Sequence, residues 1–268
     1  MHIKKRKQKV FAIANQKGGV GKTTTTINLA TGLAAVGLKI LLIDLDPQGN
    51  ASTGLGIEKN ERELNSYTVI SGDSKINEAI KKSRIPNLDI IVATVDLLGA
   101  EIELIDNDKR GYQLDDSIKH FNKSSNYEYD YILIDCPPAL GILTLNALTA
   151  ADSVLVPLQC EFFALEGLSQ LMKTVEMVKL TFNPNLKLEG IILTMFDKRN
   201  NLSEQVAEDA RKNLGSTVFN TVIPRNVRVS EAPSHGIPAL VYDYKCSGSV
   251  AYMNLAKEFI ERESSFVQ

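Results

Sequence analysis

Three glycines, two lysines and two threonines stand close together near the start of the chain, and residues of these types can bind phosphate. The stretch reads Gln16-Lys17-Gly18-Gly19-Val20-Gly21-Lys22-Thr23-Thr24 and lies between an apolar run and an amphipathic one. Glycines let successive backbone N–H groups point inward around a polyphosphate, and the N-terminus of the next helix adds partial positive charge. Lys22 is placed to reach the outer phosphates, and the hydroxyl of Thr23 is placed to ligate Mg²⁺. The spacing predicts a nucleotide-binding loop.

Three aspartates follow two other apolar runs. Asp44 and Asp46 are two residues apart, so on a strand both would project to the same face, toward a phosphate or its hydrolytic water. A surface turn before Pro47 explains this pair equally well. Asp135 ends the run Tyr-Ile-Leu-Ile, as expected of a carboxylate that holds Mg²⁺ directly or through water.

Short apolar runs alternate with longer amphipathic stretches along the whole chain. The runs are 10–15, 39–46, 88–94, 129–136, 153–158, 189–196 and 217–223, and the predicted helices are 24–36, 114–122, 143–150, 165–180, 202–213 and 250–262. Most runs are apolar at successive positions, which is typical of strands covered on both faces. The alternation predicts an α/β fold with a mostly parallel, twisted sheet and helices on both faces, and the phosphate loop between its first strand and helix makes this fold resemble that of P-loop NTPases. The polar segment 54–84 gives the weakest pattern.

Composition and charge exclude several classes of protein. The 268 residues include 30 basic and 32 acidic side chains, and 44% are hydrophobic, as in a globular protein with a sizeable core. No apolar run is long enough to span a bilayer and the first residues do not resemble a secretory signal, so we expect a cytoplasmic protein. Three cysteines without a CxxC pair indicate neither a disulfide framework nor a zinc site.

The charge distribution and the absence of linkers suggest the domain organisation. Five of the first nine residues are Lys or Arg, whereas the rest of the chain is acidic, so binding to nucleic acid would need a local basic patch. We find no Pro- or Gly-rich linker, low-complexity stretch or repeat. The sequence therefore predicts a basic N-terminal tail over 1–9 and a single domain over 10–264.

Several stretches resemble one family almost letter for letter. KGGVGKT, with lysine directly before the glycines, resembles the deviant Walker A loop of the ParA/MinD ATPase superfamily, and DLDPQGN resembles the second signature of ParA proteins. IPRNVRVSEAPS, LQCEFFALEGL and TMFDKRNNLSEQV are similar to the Soj subfamily of ParA. The resemblance extends from Val10 to about Phe259.

The resemblance implies roles for individual residues around ATP and Mg²⁺. Lys17 would cross a dimer interface to the partner's nucleotide, where a second cation can neutralise charge developing on the transferred phosphoryl group. Asp46 would position the attacking water, and Asp44 would support the magnesium shell. Pro224 and Asn226 would contact adenine, whose edge suits an amide that both donates and accepts hydrogen bonds. The nucleotide would also be held by Gly18, Gly19, Val20, Gly21, Lys22, Thr23 and Thr24, and the metal by Thr23 and Asp135.

The same resemblance implies a surface that binds DNA without reading its sequence. Arg199 and Arg228 occupy the matching positions, and Lys198 and Lys245 are candidates to extend the patch. Such phosphate contacts predict a steep loss of affinity with salt. Where family members often carry an arginine-rich stretch, this chain has Tyr-Lys-Cys-Ser-Gly at 244–248, which makes the surface less basic.

The implied activity is slow ATP hydrolysis in chromosome or plasmid partition. An ATP-bound homodimer would bind double-stranded DNA of the nucleoid, and a ParB-like adaptor would stimulate hydrolysis and release it, without a membrane. A MinD-like membrane regulator would need a basic amphipathic C-terminal helix, but this helix carries Glu258, Glu261 and Glu263. An iron–sulfur enzyme on the same scaffold would need paired cysteines. A ParA-like protein that positions another cargo, or one that mainly regulates replication or sporulation, stays open.

Overall fold

The computed structural model describes residues 8–104, 109–124 and 129–265, so positions 1–7 of the predicted basic tail lie outside the described residues. Seven strands form one sheet in the order β3-β4-β2-β5-β1-β6-β7. The strands are β1 Lys9–Ile13, β2 Ile40–Asp44, β3 Ile80–Lys82, β4 Leu88–Ile91, β5 Tyr131–Asp135, β6 Ser153–Gln159 and β7 Lys187–Thr194. The pairing of β3 with β4 is antiparallel and the other five pairings are parallel. The predicted α/β fold with a mostly parallel sheet is confirmed.

Helices lie on both faces of this sheet. They are α1 Lys22–Ala35, α2 Asn50–Gly54, α3 Ser66–Ser71, α4 Ile76–Ala79, α5 Leu97–Glu103, α6 Gln113–Ser124, α7 Ile142–Ala150, α8 Ala164–Thr181, α9 Asn201–Leu214, α10 Val227–Glu231, α11 Ala239–Tyr242 and α12 Ser247–Ser265. No helix within the described ranges combines the length and apolar character needed to cross a membrane.

Alternate residues of the central strand β1 belong to two separate cores. Phe11 and Ile13 pack with apolar residues of α1 and α12, and Phe11 makes edge-to-face ring contacts with Tyr131 and Phe259. Val10 and Ala12 point to the other face, toward residues of α6, α7 and α8. This division explains why the runs are apolar at successive positions: each side of the strand is covered.

The structure corrects the prediction of a strand at 217–223. This segment starts in a 3₁₀ turn and meets β7 at separate points: a bridge joins Ile191 to Val218, and the N–H groups of Phe219 and Ile223 donate to β7 carbonyls at 2.9 and 2.8 Å. The N–H groups of Asn220 and Thr221 donate instead to the two carboxylate oxygens of Glu258 in α12, at 2.7 and 2.8 Å. Between the contacts with β7, the Glu258 side chain therefore takes two hydrogen bonds that interrupt regular strand pairing.

The weakly patterned segment 54–84 forms several short elements that the sequence did not predict. They are a 3₁₀ turn at Lys59–Glu61, the helices α3 and α4, and the edge strand β3. Strand β3 has three residues, two of them lysines, and is the only antiparallel member of the sheet among the described residues. Such a short charged edge strand limits pairing with other chains.

Two loops that are far apart in sequence meet backbone to backbone beside α2. Gly56 follows α2 with φ 76°, and Gly236 ends the 3₁₀ turn Ala232–His235 with φ 64°. A Cβ atom on Gly56 would lie 2.7 Å from the carbonyl oxygen of Gly236, and one on Gly236 would lie 3.0 Å from the Cα of Gly56. Both the backbone conformation and the space require glycine here.

Candidate functional site

The phosphate loop joins β1 to α1 at the carboxyl edge of the sheet. Gly21 takes a left-handed conformation, with φ 87°, directly before α1 begins at Lys22. The Asn15 amide holds the loop from below, because Nδ2 donates to the carbonyl of Pro157 at 2.7 Å and Oδ1 accepts from the N–H of Lys17 at 3.0 Å. The Lys22 ammonium donates to the carbonyl of Lys17 at 3.1 Å. The loop is thus held in shape by contacts within the chain.

A cleft of about 520 Å³ opens above this loop. It is lined by Gly18, Gly19, Gly21, Lys22, Thr23, Thr24, Asp46, Pro47, Gln48, Asn50, Leu98, Pro137, Pro138, Ala139, Leu143 and Met195. Six of the residues predicted to bind the nucleotide, together with Asp46, therefore share one concave surface. The side chain of Val20 is buried, and its carbonyl accepts a hydrogen bond from Thr194 at 2.8 Å.

Asp135 ends β5 beneath the cleft and is fully buried. Its Oδ1 accepts a hydrogen bond from Thr26 at 2.8 Å, and the Thr23 hydroxyl also favours the ionised form. Burial, followed by the charge of Asp44, nevertheless raises the pKa of Asp135 to about 8. Burial also affects the nearby Lys22: it lowers the pKa of the ammonium, and the negative charge of Asp135 acts against this shift. A cation next to Asp135 would lower the cost of ionising it.

The bonding of the Asp135 carboxylate shows whether Mg²⁺ fits this position. Oδ2 is buried and has no hydrogen-bond partner in the part of the chain that the structure describes. No group of three or more His, Cys, Asp or Glu side chains among those residues could hold a metal by itself. Magnesium beside nucleotides is usually bound by one or two carboxylates together with phosphates and water, so a single free carboxylate oxygen fits such an ion.

The two aspartates after β2 have different surroundings, because the strand ends at Asp44 and leaves Asp46 in the following loop. The expectation that both project from one strand face is therefore wrong. Asp44 accepts hydrogen bonds from the N–H and hydroxyl of Ser52 and from the N–H of Asp46, and burial raises its pKa to about 6. Ser52 in turn accepts from the N–H of Ala93 at 2.9 Å. Asp46 lines the cleft, with Oδ1 accepting from the N–H of Gln48.

A buried arginine fixes the loop that carries Asp46, and sequence reasoning missed it. The Arg62 guanidinium donates to the carbonyls of Gly49 and Ala93 at 3.3 Å, to the carbonyl of Ile57 at 2.7 Å and to the hydroxyl of Thr53 at 2.9 Å. It is 6% exposed, and burial lowers its pKa. Arg62 occurs within the polar segment 54–84, where nothing in the pattern distinguishes it from an exposed cation.

Lys17 is not among the residues that line the cleft. Its ammonium forms an ion pair with Oε1 of Glu161, just after β6. The lysine main chain therefore supports Lys22 while its side chain points elsewhere.

Pro224 and Asn226 are not among the residues that line the cleft. Both are half-buried, and Pro224 forms an isolated bridge with Phe196. The Asn226 side chain caps α10 by accepting from the N–H of Val229 at 3.3 Å, and its Nδ2 donates to the hydroxyl of Ser247 at 2.9 Å. Adenine contacts by these residues stay a prediction.

Each of the predicted DNA-binding arginines has an acidic partner close by in sequence, Arg199 in a loop and Arg228 in α10. Arg199 is 89% exposed and forms two hydrogen bonds to Asp197, at 3.0 and 2.8 Å, which lower the pKa of that carboxyl to about 2. Arg228 contacts Glu231 at 3.1 Å and Asp243 at 3.8 Å. Both arginines are accessible, but carboxylates already occupy part of their bonding capacity.

Two further cations and a histidine lie near these loops. Lys198 and Lys245 are exposed, and Lys245 lies over the ring of Tyr244 at 5.4 Å. His235 stacks on Tyr242 with ring centroids 4.9 Å apart. His235 therefore has a packing partner away from the residues that line the cleft.

The three cysteines are free thiols. Cys136 follows Asp135 and is fully buried, and burial raises the pKa of its thiol. Burial also raises the pKa of Cys160 to about 11. The high pKa values disfavour reactive thiolates at both positions.

Comparison with known proteins decides the family. A family model described as an AAA domain matches residues 8–188. The chromosome partitioning protein ParA of Caulobacter vibrioides is 58% identical over 255 residues, which cover 95% of each chain. The sporulation initiation inhibitor protein Soj of Bacillus subtilis is 52% identical over 93% of this chain and 97% of its own. This chain belongs to the ParA/Soj family of partitioning ATPases.

Solved structures similar to this ParA/Soj-family chain contain nucleotides. A cobyrinic acid a,c-diamide synthase from Mycobacterium smegmatis, with bound ADP and magnesium, is 34% identical, covers 97% of this chain and 96% of its own, and has a TM-score of 0.84. The septum site-determining protein MinD of Pyrococcus horikoshii, complexed with Mg-ADP, is 27% identical, covers 94% and 96%, and has a TM-score of 0.77. The P-loop NTPase fold of the ParA/Soj-family chain is thus shared with proteins that bind Mg²⁺ and adenine nucleotides.

Proposed function

We propose that this ParA/Soj-family chain is a DNA-partitioning ATPase that binds ATP and Mg²⁺ in the cleft. An ATP-bound homodimer binds double-stranded DNA without sequence preference, and slow hydrolysis, stimulated by a ParB-like adaptor, releases it. The observation that carries the proposal is the buried Oδ2 of Asp135, unpartnered beneath the phosphate loop, in a chain 58% identical to a chromosome partitioning ParA.

Different residues of the cleft bind the phosphates and the metal ion. N–H groups of the loop from Gly18 to Thr24 surround the phosphates, and the Lys22 ammonium exchanges the Lys17 carbonyl for phosphate oxygens. Thr23 and Asp135 would hold Mg²⁺, which when bound supplies charge neutralisation at the phosphate oxygens. Asp44 stays behind them, fixed by its hydrogen bonds to Ser52.

Hydrolysis needs a group that orients the attacking water. Asp46 lines the cleft, and its carboxylate is held by the N–H of Gln48, so one oxygen is fixed while the side chain faces the phosphate site. Arg62 holds the end of this loop through the carbonyl of Gly49. Lys17 of the second subunit supplies a further positive charge where negative charge develops on the transferred group. Pro224 and Asn226, which do not line the cleft, contact adenine.

DNA binding by Arg199 and Arg228 exchanges carboxylate partners for phosphates. Both side chains are exposed, so a phosphate can displace Asp197 or Glu231 without burying either charge. Dimerisation doubles the number of arginines on one surface. Only the ATP state assembles both halves, so nucleotide and DNA binding are thermodynamically linked. The chain acts on the nucleoid, in the cytoplasm.

The experiment that tests the proposal measures binding of Asp46→Ala to random-sequence DNA, with and without ATP and Mg²⁺, over a salt series. This variant should keep ATP bound, dimerise and retain DNA in a salt-sensitive manner, because only hydrolysis is removed. Lys22→Ala is the matched control and should not retain DNA at an ATP concentration that saturates the wild type. An Asp46→Ala dimer that ignores DNA would leave the nucleotide assignment intact and exclude partition through nucleoid binding.

A further inference from the structure

The side chain of Lys17 has a defined resting place within its own subunit. Its ammonium pairs with Oε1 of Glu161, an oxygen that is shielded from water. The two side chains are 44% and 30% exposed, so the pair lies at the surface but is partly covered.

The backbone on both sides of this ion pair is fixed. The N–H of Lys17 donates to Asn15, and its carbonyl accepts from Lys22. The N–H of Glu161 donates to the carbonyl of Gln159 at 2.9 Å, and its own carbonyl accepts from Ala164 at 3.0 Å, at the start of α8. Rotation of the side chains can separate the ammonium from the carboxylate without breaking these backbone hydrogen bonds.

We infer that Glu161 is a positioning residue that holds Lys17 in its own subunit and so opposes ATP-dependent dimerisation. The inference rests on the proposed function, because it requires Lys17 to act across the dimer interface. Lys17 must leave Glu161 to reach a nucleotide in the partner, and each dimer breaks two such ion pairs.

The chemistry of the two acceptors makes this contact responsive to the nucleotide. Glu161 offers one negative charge to the ammonium, whereas the phosphates of ATP offer several charges and more acceptor oxygens. A partner that contains a triphosphate can therefore displace the carboxylate. The ion pair sets a threshold that the nucleotide must exceed before the dimer closes.

The test is the dimer dissociation constant of Glu161→Gln, measured by sedimentation with a non-hydrolysable ATP analogue and Mg²⁺. A partly exposed ion pair changes an equilibrium by about twofold to fivefold, so two pairs should tighten the dimer by about fourfold to 25-fold. Glu166→Gln, an exposed glutamate in α8, removes the same charge and should leave the constant unchanged. The advantage of Glu161→Gln over the wild type should shrink at high salt, which already weakens the pair.

Further variants separate this inference from its premise. Lys17→Ala should be monomeric with the analogue, and the double variant should be equally monomeric. Dimers of Lys17→Ala as tight as those of the wild type would refute the cross-subunit role itself. If Lys17→Ala is monomeric but Glu161→Gln dimerises no more tightly than the wild type, only the inference about Glu161 is overturned. Recovery of dimers in the double variant would also overturn it.

Glu161→Asp is a second variant that keeps the charge and shortens the side chain. It should tighten the dimer less than Glu161→Gln does, because the shorter carboxylate still attracts the ammonium. Thermal unfolding without nucleotide should be similar for the wild type and both variants. A looser dimer in Glu161→Asp would count against the proposal.

Discussion

The nucleotide cleft and the arginine surface place their charges in opposite surroundings. Asp44, Asp135 and Lys22 are buried and bonded to the backbone or to neighbouring hydroxyls. Arg199 and Arg228 are exposed and paired with carboxylates two or three residues away in sequence. The cleft therefore depends on a fixed backbone, whereas the surface depends on a competition between ion pairs that an incoming phosphate can win.

The largest expected effect is at the centre of the cleft. Lys22→Ala removes a charged donor to the phosphates and should weaken ATP binding by about 100-fold, as measured by calorimetry. Lys123→Ala, an exposed lysine in α6, is the control and should bind ATP normally. Normal ATP affinity in Lys22→Ala would refute the assignment of the phosphate loop.

Asp135→Asn tests the buried charge of the cleft through the pH dependence of stability without nucleotide. The pKa of Asp135 is raised from 3.8 to about 8 in the folded protein, so between these values the folded state holds more protons than the unfolded state. The unfolding free energy should fall as pH rises through this range, and asparagine removes that contribution. From pH 5 to pH 9, the unfolding free energy measured with denaturant should fall by at least about 1 kcal/mol more for the wild type than for the variant.

Asp209→Asn serves as the control for this experiment because its side chain is exposed in α9. Its stability should follow that of the wild type across the whole pH range. A parallel pH dependence for Asp135→Asn and the wild type would mean that Asp135 is already ionised in the empty cleft.

On the arginine surface, the effect of a single substitution should be smaller. Arg228→Ala should weaken ATP-dependent binding to every DNA sequence by about fivefold. The slope of log affinity against log salt should become shallower by about 1 for each phosphate that the arginine neutralises, because fewer counterions are then released on binding. ATP turnover without DNA should stay unchanged. A weakening restricted to some sequences would indicate a base contact instead.

Asp197→Asn sharpens the comparison in the opposite direction. It removes the carboxylate that engages Arg199, so DNA affinity should rise by about twofold to threefold, within the range of exposed ion pairs. An equal affinity would show that Asp197 does not compete with DNA for Arg199. A lower affinity would show that Asp197 orients the arginine for DNA. Fluorescence anisotropy with random-sequence DNA measures either change.

The sequence predicts those parts of the fold that depend on local pattern. Six of the seven apolar runs form strands, and the loop from Gly18 to Thr24 lies between a strand and a helix as its motif requires. Asp135 was predictable because a buried strand delivers one carboxylate to the edge of a sheet. Residues that are close together in the sequence are enough to determine these features.

Contacts between distant side chains were beyond the sequence pattern. Glu258 captures the N–H groups of Asn220 and Thr221, which turns an apparent strand into a connecting segment. Arg62 is buried among backbone carbonyls although its local sequence is polar. In both cases a long side chain finds partners that no local periodicity reveals.

The contact between Gly56 and Gly236 has a consequence for how the sequence can change. Each glycine occupies the space that a side chain on the other would need, so neither position can accept a substitution alone. Position 56 follows the loop of Asp46, and position 236 follows the helix of Arg228. Sequence changes around Asp46 and around Arg228 are therefore tolerated only where both glycines are kept, because their contact joins the two regions.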